Sequence, residues 1–230
     1  MQGLILAFVP AAVVVGIIFR WAAGTQTAIY ATLRMLVQLL LIGYVLVTIF
    51  ETDHPGIIIV VLAIMLAVAS WIAIRPLRSK QLHQYLNALG AISVGGILTL
   101  ALVSQAVLSV QPWFSPRYVV PLAGMIFAGA MNAVSLAAER FQAERDKETP
   151  YLEARRIAFQ ASLIPIINSL FAVGLVSLPG MMTGQILSGV SPLVAAKYQI
   201  VVMTMLFGAS GISAALYLVL TVRGLRRLEA

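Results

Sequence analysis

The residue types that most often carry catalysis or bind metals are few in this sequence and stand far apart. The sequence has no cysteine, which excludes disulfides, a thiolate nucleophile and Cys-ligated zinc or iron–sulfur centres. The two histidines, His54 and His83, fall in separate polar connections, so we expect each to be a solvated loop residue. A Gly-rich phosphate loop with its lysine is also absent from the sequence. The sequence therefore predicts no catalytic residues and leaves any metal ligands unassigned.

Polar and sulfur-containing side chains within apolar stretches are the remaining candidates. An amide without a hydrogen-bond partner in hydrocarbon is costly, so such amides either line a pathway or bond between helices, and the sequence leaves both open. Met181 and Met182 fit flexible packing or soft metal contacts, of which packing is the commoner use. The candidate translocation-path residues are Gln38, Met125, Met131, Asn132, Asn168, Met181, Met182, Gln185 and Gln199.

The elements that must hold these residues are apolar segments about as long as a bilayer is thick. Hydrophobic residues make up 61% of the 230 and charged residues 10%, against roughly 45–50% and about 25% in soluble domains. This composition excludes an ordinary soluble enzyme and a disordered chain. A spanning helix needs about 20 mostly apolar residues. We therefore predict an all-α polytopic membrane protein, a single domain over residues 1–230, with seven spans at residues 3–20, 33–50, 57–74, 86–108, 118–138, 162–179 and 198–222.

The positive charges follow the alternation that seven spans impose. The formal net charge is +7, from 15 Lys and Arg against 8 Asp and Glu. Thirteen of the 15 cations fall in the loops and tail of one side, and only Arg117 and Lys197 fall on the other. Because cytoplasmic loops are enriched in Lys and Arg, the N-terminus is predicted outside and the C-terminus in the cytoplasm. The net positive charge is then explained by the membrane topology. We therefore expect the protein to contact membrane lipids and not nucleic acid.

The predicted spans hold no Asp, Glu, Lys or His, and Arg34 lies near an inner edge where it can reach headgroups. Proton relays and ion-coupled pumps usually place ionisable groups in the interior of the bundle. Hydrolysis within the membrane would need paired carboxylates, a Ser/His pair or a His-based metal site. The chain is therefore expected to be either a passive channel or one part of a machine that a partner drives, and a membrane enzyme is the weakest alternative.

The largest soluble piece is the inner segment at about residues 139–161. Thr149 is expected to cap a helix that has Pro150 at its first position, followed by Glu153 and then Arg155 and Arg156. Small and apolar residues recur at a spacing of three to four residues on one face of this helix, which runs straight into the sixth span: Tyr151, Ala154, Ala158 and Ala161. Two interpretations stay open, an interfacial helix on the headgroups and a lever docked into a cytoplasmic partner.

Small residues and prolines mark close packing and helix breaks. Residues spaced by four that let helices approach are Gly124, Ala128 and Asn132, and then Gly180 and Gly184. Pro165 and Pro179 are expected to bracket the sixth span. The Gly-rich stretch 180–192 is too short to span and is either a partly inserted loop or a surface loop.

The stretch VGLVSLPGMMTGQILSGVSPLVAAKYQI, residues 173–200, closely resembles the signature of FetB-type ABC transporter permeases. These are bacterial iron-export permeases related to plant aluminium-tolerance permeases. PLAGMIFAGAMNA at residues 121–133 and RMLVQLLLIGYV from Arg34 resemble two other segments of that family. The resemblance covers nearly the whole chain.

The resemblance implies a permease in the bacterial cytoplasmic (inner) membrane that forms a homodimer and binds two copies of a cytoplasmic ABC ATPase. ATP and Mg would then sit on the partner, with no cofactor on this chain, and the cargo would be iron leaving the cytoplasm. A stand-alone channel, or an ABC permease for a nucleotide sugar or another metal, is the alternative. The family's coupling helix maps to residues 148–160, and the implied ATPase-coupling residues are Glu148, Thr149, Pro150, Tyr151, Leu152, Glu153, Arg155 and Arg156.

Overall fold

The computed structural model describes residues 6, 8–21, 24–52, 54–78 and 81–228, with the side chains of the last helix described as far as Val222. This part of the chain is helical, without a named strand, as the sequence predicts. Its helices are α1 (Val9–Trp21), α2 (Thr25–Phe50), α3 (Pro55–Ala73), α4 (Leu82–Ala101), α5 (Pro116–Arg145), α6 (Tyr151–Ala172), α7 (Gly180–Leu187) and α8 (Pro192–Leu228), and a π-helical segment, Leu102–Val107, continues α4.

The chain divides into two compact units, Met1–Thr52 and Asp53–Ala230. The first unit contains α1 and α2, which contact each other. α1 has no buried residue and Ile49 is the only one in α2, so both helices present apolar side chains to their surroundings. The prediction of a single domain over residues 1–230 stays a prediction.

The second unit is built around α5, which packs against α3, α4, α6 and α8. Its buried face is rich in alanine, with Ala123, Ala130 and Ala137 fully enclosed. Glycines on α4 and α5 bring neighbouring helices close, since a Cβ on Gly96 would lie 2.8 Å from the Phe127 ring. Small residues at such contacts let helix backbones approach, which is how membrane helices gain packing energy.

Among the helices that the structure describes, five are long and apolar enough to cross a membrane: α2, α3, α4 with its π-helical extension, α5 and α8. α1 is a shorter apolar helix, and residues 3–5 and 7 of the first predicted span lie outside the described residues. α6 is not among the five, and charged residues in its first turns lower its hydropathy. The protein is thus an all-α, multi-pass membrane protein, and the seven-span count stays a prediction.

The predicted boundaries of the sixth span are wrong. α6 ends at Ala172 and not at residue 179, because the chain turns at Gly174 with φ +83 and forms an isolated bridge between Val173 and Ser177. A positive φ is readily adopted only by glycine and ends a helix. Pro165, expected at the start of the span, lies inside α6. The span and the preceding amphipathic segment are one continuous helix, as predicted.

Of the predicted stripe of small residues, Gly124 packs on α3, where a Cβ would lie 3.5 Å from Met65 Cε in ordinary contact. Ala128 and Asn132 are exposed, and a Cβ on Gly180 or Gly184 would meet nothing within 4 Å. The close contacts lie at other glycines: Gly95, Gly96 and Gly129. In the stretch 180–192, α7 occupies eight residues before a turn at Gly189 with φ +90.

Candidate functional site

The junction between α5 and α6 is a tight turn within the predicted inner segment. The backbone N–H of Glu148 donates to the Arg145 carbonyl at 2.9 Å, and that of Thr149 donates to the Glu144 carbonyl at 3.2 Å. Glu148 has φ +64, a left-handed conformation that non-glycine residues adopt at some cost. These bonds fix the direction in which α6 leaves α5.

Glu144 anchors this turn from the buried side. Its side chain is 7% exposed, and its Oε1 lies 2.8 Å from Arg140 Nη2 and 3.4 Å from Lys147 Nζ. The Thr149 hydroxyl donates to Glu144 Oε2 at 3.2 Å. A shielded carboxylate needs such donors, because an unpaired buried charge is costly.

The prediction that Thr149 caps α6 with Pro150 at its first position is wrong. Pro150 is the N-cap residue, and the helix begins at Tyr151. The Thr149 hydroxyl faces the other way, toward the Glu144 carboxylate. An ionised acceptor forms a stronger hydrogen bond with a hydroxyl than a neutral group does, which favours this partner.

Arg145 ties the two helices together from the opposite side of the turn. Its guanidinium donates to the Thr149 carbonyl and lies 3.8 Å above the centre of the Tyr151 ring. A guanidinium over an aromatic face is an attractive cation–π contact. The first turn of α6 is therefore held to the last turn of α5 by side chains as well as by the backbone.

Beyond the turn, α6 has the two-sided character that the sequence predicts. Ala154 and Ala158 are completely buried, while Leu152, Glu153 and the arginine pair are exposed. A groove of about 380 Å³ follows the exposed side, lined by Leu152, Arg155, Arg156 and Phe159 of α6 and Ala215, Leu218 and Val219 of α8. Of the coupling residues implied by the resemblance, Leu152, Arg155 and Arg156 line this groove. Glu148, Pro150 and Glu153 are also exposed, whereas Thr149 and Tyr151 are half-buried.

The path candidates are divided between two cavities and several exposed positions. The larger cavity, about 670 Å³, lies among α5, α7 and α8 and brings together Met125, Met181 and Gln185. Gln185 Oε1 is itself enclosed by protein atoms and has no hydrogen-bond partner among the described residues. The cavity is lined by Leu108, Arg117, Tyr118, Pro121, Leu122, Met125, Met181, Gln185, Val190, Val194, Tyr198, Val201 and Val202.

A second cavity of about 340 Å³ contains Met182 and Gln199. Gln199 is 5% exposed, and its Oε1 also finds no hydrogen-bond partner among the described residues. The remaining candidates do not join either cavity: Gln38, Asn132 and Asn168 are exposed, and Met131 is half-buried. The structure therefore brings together five of the nine candidates, in two separate groups.

Within the described residues, no cluster of three or more His, Cys, Asp or Glu side chains has the spacing to hold a metal ion. His54 is exposed just before α3. His83 is exposed on α4 and borders a small cavity of about 220 Å³ beside Arg145 and Tyr217. Neither histidine therefore stands in a described cluster of ligands.

Comparison with known proteins identifies the family. The model of the Uncharacterised protein family (UPF0014) matches residues 1–225. The chain belongs to the UPF0014 family. No solved structure matches the chain significantly.

Three UPF0014 relatives cover most of the chain. The UPF0014 membrane protein slr1647 of Synechocystis is 41% identical over 203 residues, 80% of this chain and 73% of the relative. The Probable iron export permease protein FetB of Escherichia coli is 34% identical over 206 residues, 83% of this chain and 78% of the relative. Protein ALUMINUM SENSITIVE 3 of Arabidopsis thaliana is 34% identical over 200 residues, 80% of this chain and 72% of the relative. The resemblance seen in the sequence is thus confirmed.

Several residues of this UPF0014 chain that shape the two sites are missed by reasoning from sequence. The pairing of Arg140 with Glu144 has an i,i+4 spacing that could have indicated it. The contact of Arg145 with Tyr151 depends on the turn and has no such signal. Arg117 and Tyr118 lie on α5 and Tyr198 lies on α8, so the approach of Tyr198 to the other two is a tertiary feature.

Proposed function

We propose that this UPF0014 protein is the membrane subunit of an ATP-binding-cassette exporter that moves iron out of the cytoplasm. Two copies of the chain form the membrane part in the bacterial inner membrane, and two copies of a separate cytoplasmic ATPase drive it. ATP and Mg bind the ATPase, and this chain performs no catalysis. The iron cargo is supported by the relative FetB, a probable iron export permease that is 34% identical over most of the chain.

In this proposal the chain crosses the membrane seven times, with α1 and α6 completing the five long spans. Thirteen of its 15 cations then face the cytoplasm, in agreement with the distribution found in multi-pass membrane proteins. The N-terminus lies outside and the C-terminus inside. The turn between α5 and α6 consequently faces the cytoplasmic ATPase.

The observation that carries the proposal is the rigid attachment of an exposed charged surface to the helical core. Leu152, Glu153, Arg155 and Arg156 are exposed, while the opposite face of the same turns is buried through Ala154. α6 continues without interruption to Ala172 and packs on α5 and α8. A force applied to the exposed surface by a partner is therefore transmitted along the helix into the bundle.

The proposal is tested by co-expressing the chain with its cognate ATPase and reversing the paired charges, Arg155→Glu with Arg156→Glu. Arginine anchors often dominate interfaces, so we expect the ATPase recovered with the purified chain, and the hydrolysis rate of the reconstituted complex, to fall by about tenfold or more. The matched control is Lys197→Glu, which reverses an exposed cation at the far end of the unit. We expect this control to leave both quantities unchanged.

Three results would contradict parts of the proposal. A wild-type chain that binds no ATPase under any membrane condition would remove its central claim. A purified chain that lets iron cross liposomes without ATP would instead indicate a passive channel. Equal losses in Lys197→Glu and in the arginine double variant would mean that the α6 surface is not the docking site.

A further inference from the structure

The cavity among α5, α7 and α8 combines a permanent cation with hydrogen-bonding groups and apolar walls. Among the described residues that line it, Arg117 is the only charged one. Tyr118 and Tyr198 add hydroxyl groups, and Met125 and Met181 add thioethers. An arginine is charged at every physiological pH and offers a planar fork that matches a carboxylate. The electrostatics of the cavity therefore favour an anion.

Gln185 also lines the cavity, but its amide oxygen is not a contact for a bound molecule. Its Oε1 is enclosed by protein atoms and accepts no hydrogen bond from any described residue. Arg117 is therefore the group that selects the ligand, and the site calls for a ligand with a negative group.

A bare iron ion does not fit these groups. Iron ions prefer carboxylate and imidazole ligands, whereas thioethers suit soft metals, and Arg117 repels any free cation. The volume also exceeds that of a hydrated ion, because an ion with six waters occupies about 200 Å³ at about 30 Å³ per water, whereas the cavity holds about 670 Å³. The cavity has room for an organic ligand around the metal.

We propose that this cavity binds the exported metal as an anionic carboxylate chelate. A carboxylate of the chelate pairs with the Arg117 guanidinium. The carbon skeleton lies against Met125 and Met181. This inference rests on the proposed export function and adds the chemical class of the cargo.

The test measures binding of labelled iron to the permease–ATPase complex in neutral phosphatidylcholine nanodiscs, by equilibrium dialysis. Ferric citrate is the chelate probe, and ferrous ion kept reduced without a chelator is the comparison. We expect saturable binding of ferric citrate and at least about tenfold weaker binding of ferrous ion. Arg117→Gln should weaken ferric citrate binding by about tenfold or more, since it removes a charged hydrogen bond, and Arg117→Lys should recover part of the loss.

Lys197→Gln is the matched control, an exposed cation that does not line the cavity, and should bind ferric citrate as the wild type does. Recovery of the ATPase with each variant reports folding separately from cargo binding. If Arg117→Gln does not assemble with the ATPase, the comparison of ferric citrate with ferrous ion in the wild type still tests whether the cargo is a chelate.

Three outcomes would overturn the inference. Ferrous ion binding as tightly as ferric citrate would show that the cargo is the free ion. Unchanged ferric citrate binding in Arg117→Gln would place the cargo elsewhere, and displacement of ferric citrate by phosphatidylglycerol in the nanodiscs would make the cavity a lipid site. In each case an intact complex with the ATPase leaves the proposed export function standing, whereas loss of that complex in the wild type contradicts the export function itself.

Discussion

At the scale of single residues, Glu144 contributes most to the junction that joins α5 to α6. Its carboxylate meets Arg140 and Lys147 and accepts a hydrogen bond from Thr149, while its own side chain is 7% exposed. Asp146, two residues later, pairs with Arg78 at 3.0 Å, but both side chains are well exposed. Surface ion pairs contribute little because water and salt screen them, whereas a shielded carboxylate depends on its partners.

We predict that Glu144→Gln lowers the thermal unfolding midpoint of the purified chain and reduces ATPase stimulation, because the neutral amide no longer pairs with the two cations. Thr149→Val should act in the same direction with a smaller effect, since it removes one hydrogen bond. Both midpoints can be measured in detergent by the loss of helical circular dichroism. Asp146→Asn is the control and should shift the midpoint very little, and an equal shift in all three variants would contradict the role of Glu144.

At the scale of elements, the close packing of α4 depends on which of its glycines faces a neighbour. A Cβ on Gly95 would lie 3.0 Å from the backbone nitrogen of Ser213 in α8, which cannot move aside as a flexible side chain can. A Cβ on Gly90, on the same helix, would meet Leu220 Cδ1 at an ordinary 3.9 Å. Both positions are glycine, but only Gly95 lacks the space for a larger side chain.

We predict that Gly95→Ala destabilises the protein by about 1–3 kcal/mol, because the added methyl group forces α4 and α8 apart. Gly90→Ala should be neutral or stabilising by up to about 1 kcal/mol, since alanine loses less backbone entropy in a helix. Denaturant unfolding in mixed micelles measures both values. If Gly95→Ala has the same denaturant unfolding curve as Gly90→Ala, α4 and α8 do not approach each other as described.

At the scale of the whole molecule, the number of membrane crossings depends on α1 and α6. The five long helices satisfy the length and hydropathy of a span, whereas α1 has 13 residues and α6 begins with charged turns. Charged residues near the end of a span can extend toward the headgroups. The alternation of positive charge agrees with seven crossings.

Because the sequence has no cysteine, the number of membrane crossings can be tested with single introduced cysteines. We predict that a membrane-impermeant maleimide labels His54→Cys, Gln111→Cys and Ser177→Cys in right-side-out vesicles. Arg75→Cys and Glu153→Cys should react only in inverted vesicles. All five positions are exposed in the structure.

Ser177 and Glu153 flank most of α6, so this pair decides whether the helix crosses the membrane. Labelling of both from the same side would contradict the crossing and reduce the number of spans. Reversal of the whole pattern would contradict the predicted orientation of the termini. Unmodified wild-type protein, which cannot react, controls for background.

Much of the architecture follows from the sequence because the bilayer imposes a length on every apolar segment. The positions of α2 to α5 and α8 correspond to predicted spans, since runs of apolar residues of that length have few alternatives to a helix in lipid. The burial of Ala154 and Ala158 also follows from the helical period. These are local properties, and a sequence contains them directly.

The sites were decided by tertiary structure, because they join residues from different helices. The end of α6 at Ala172 depends on the turn at Gly174, and the Thr149 hydroxyl binds Glu144 because the turn brings that carboxylate within reach. The sequence suggested Met125 and Gln185 as path residues but not that they share a cavity with Arg117. Composition and helical period determined which residues form helices. Packing between helices determined which polar groups meet. The free energy of such contacts depends on distances between residues of different helices, which the sequence of one segment does not specify.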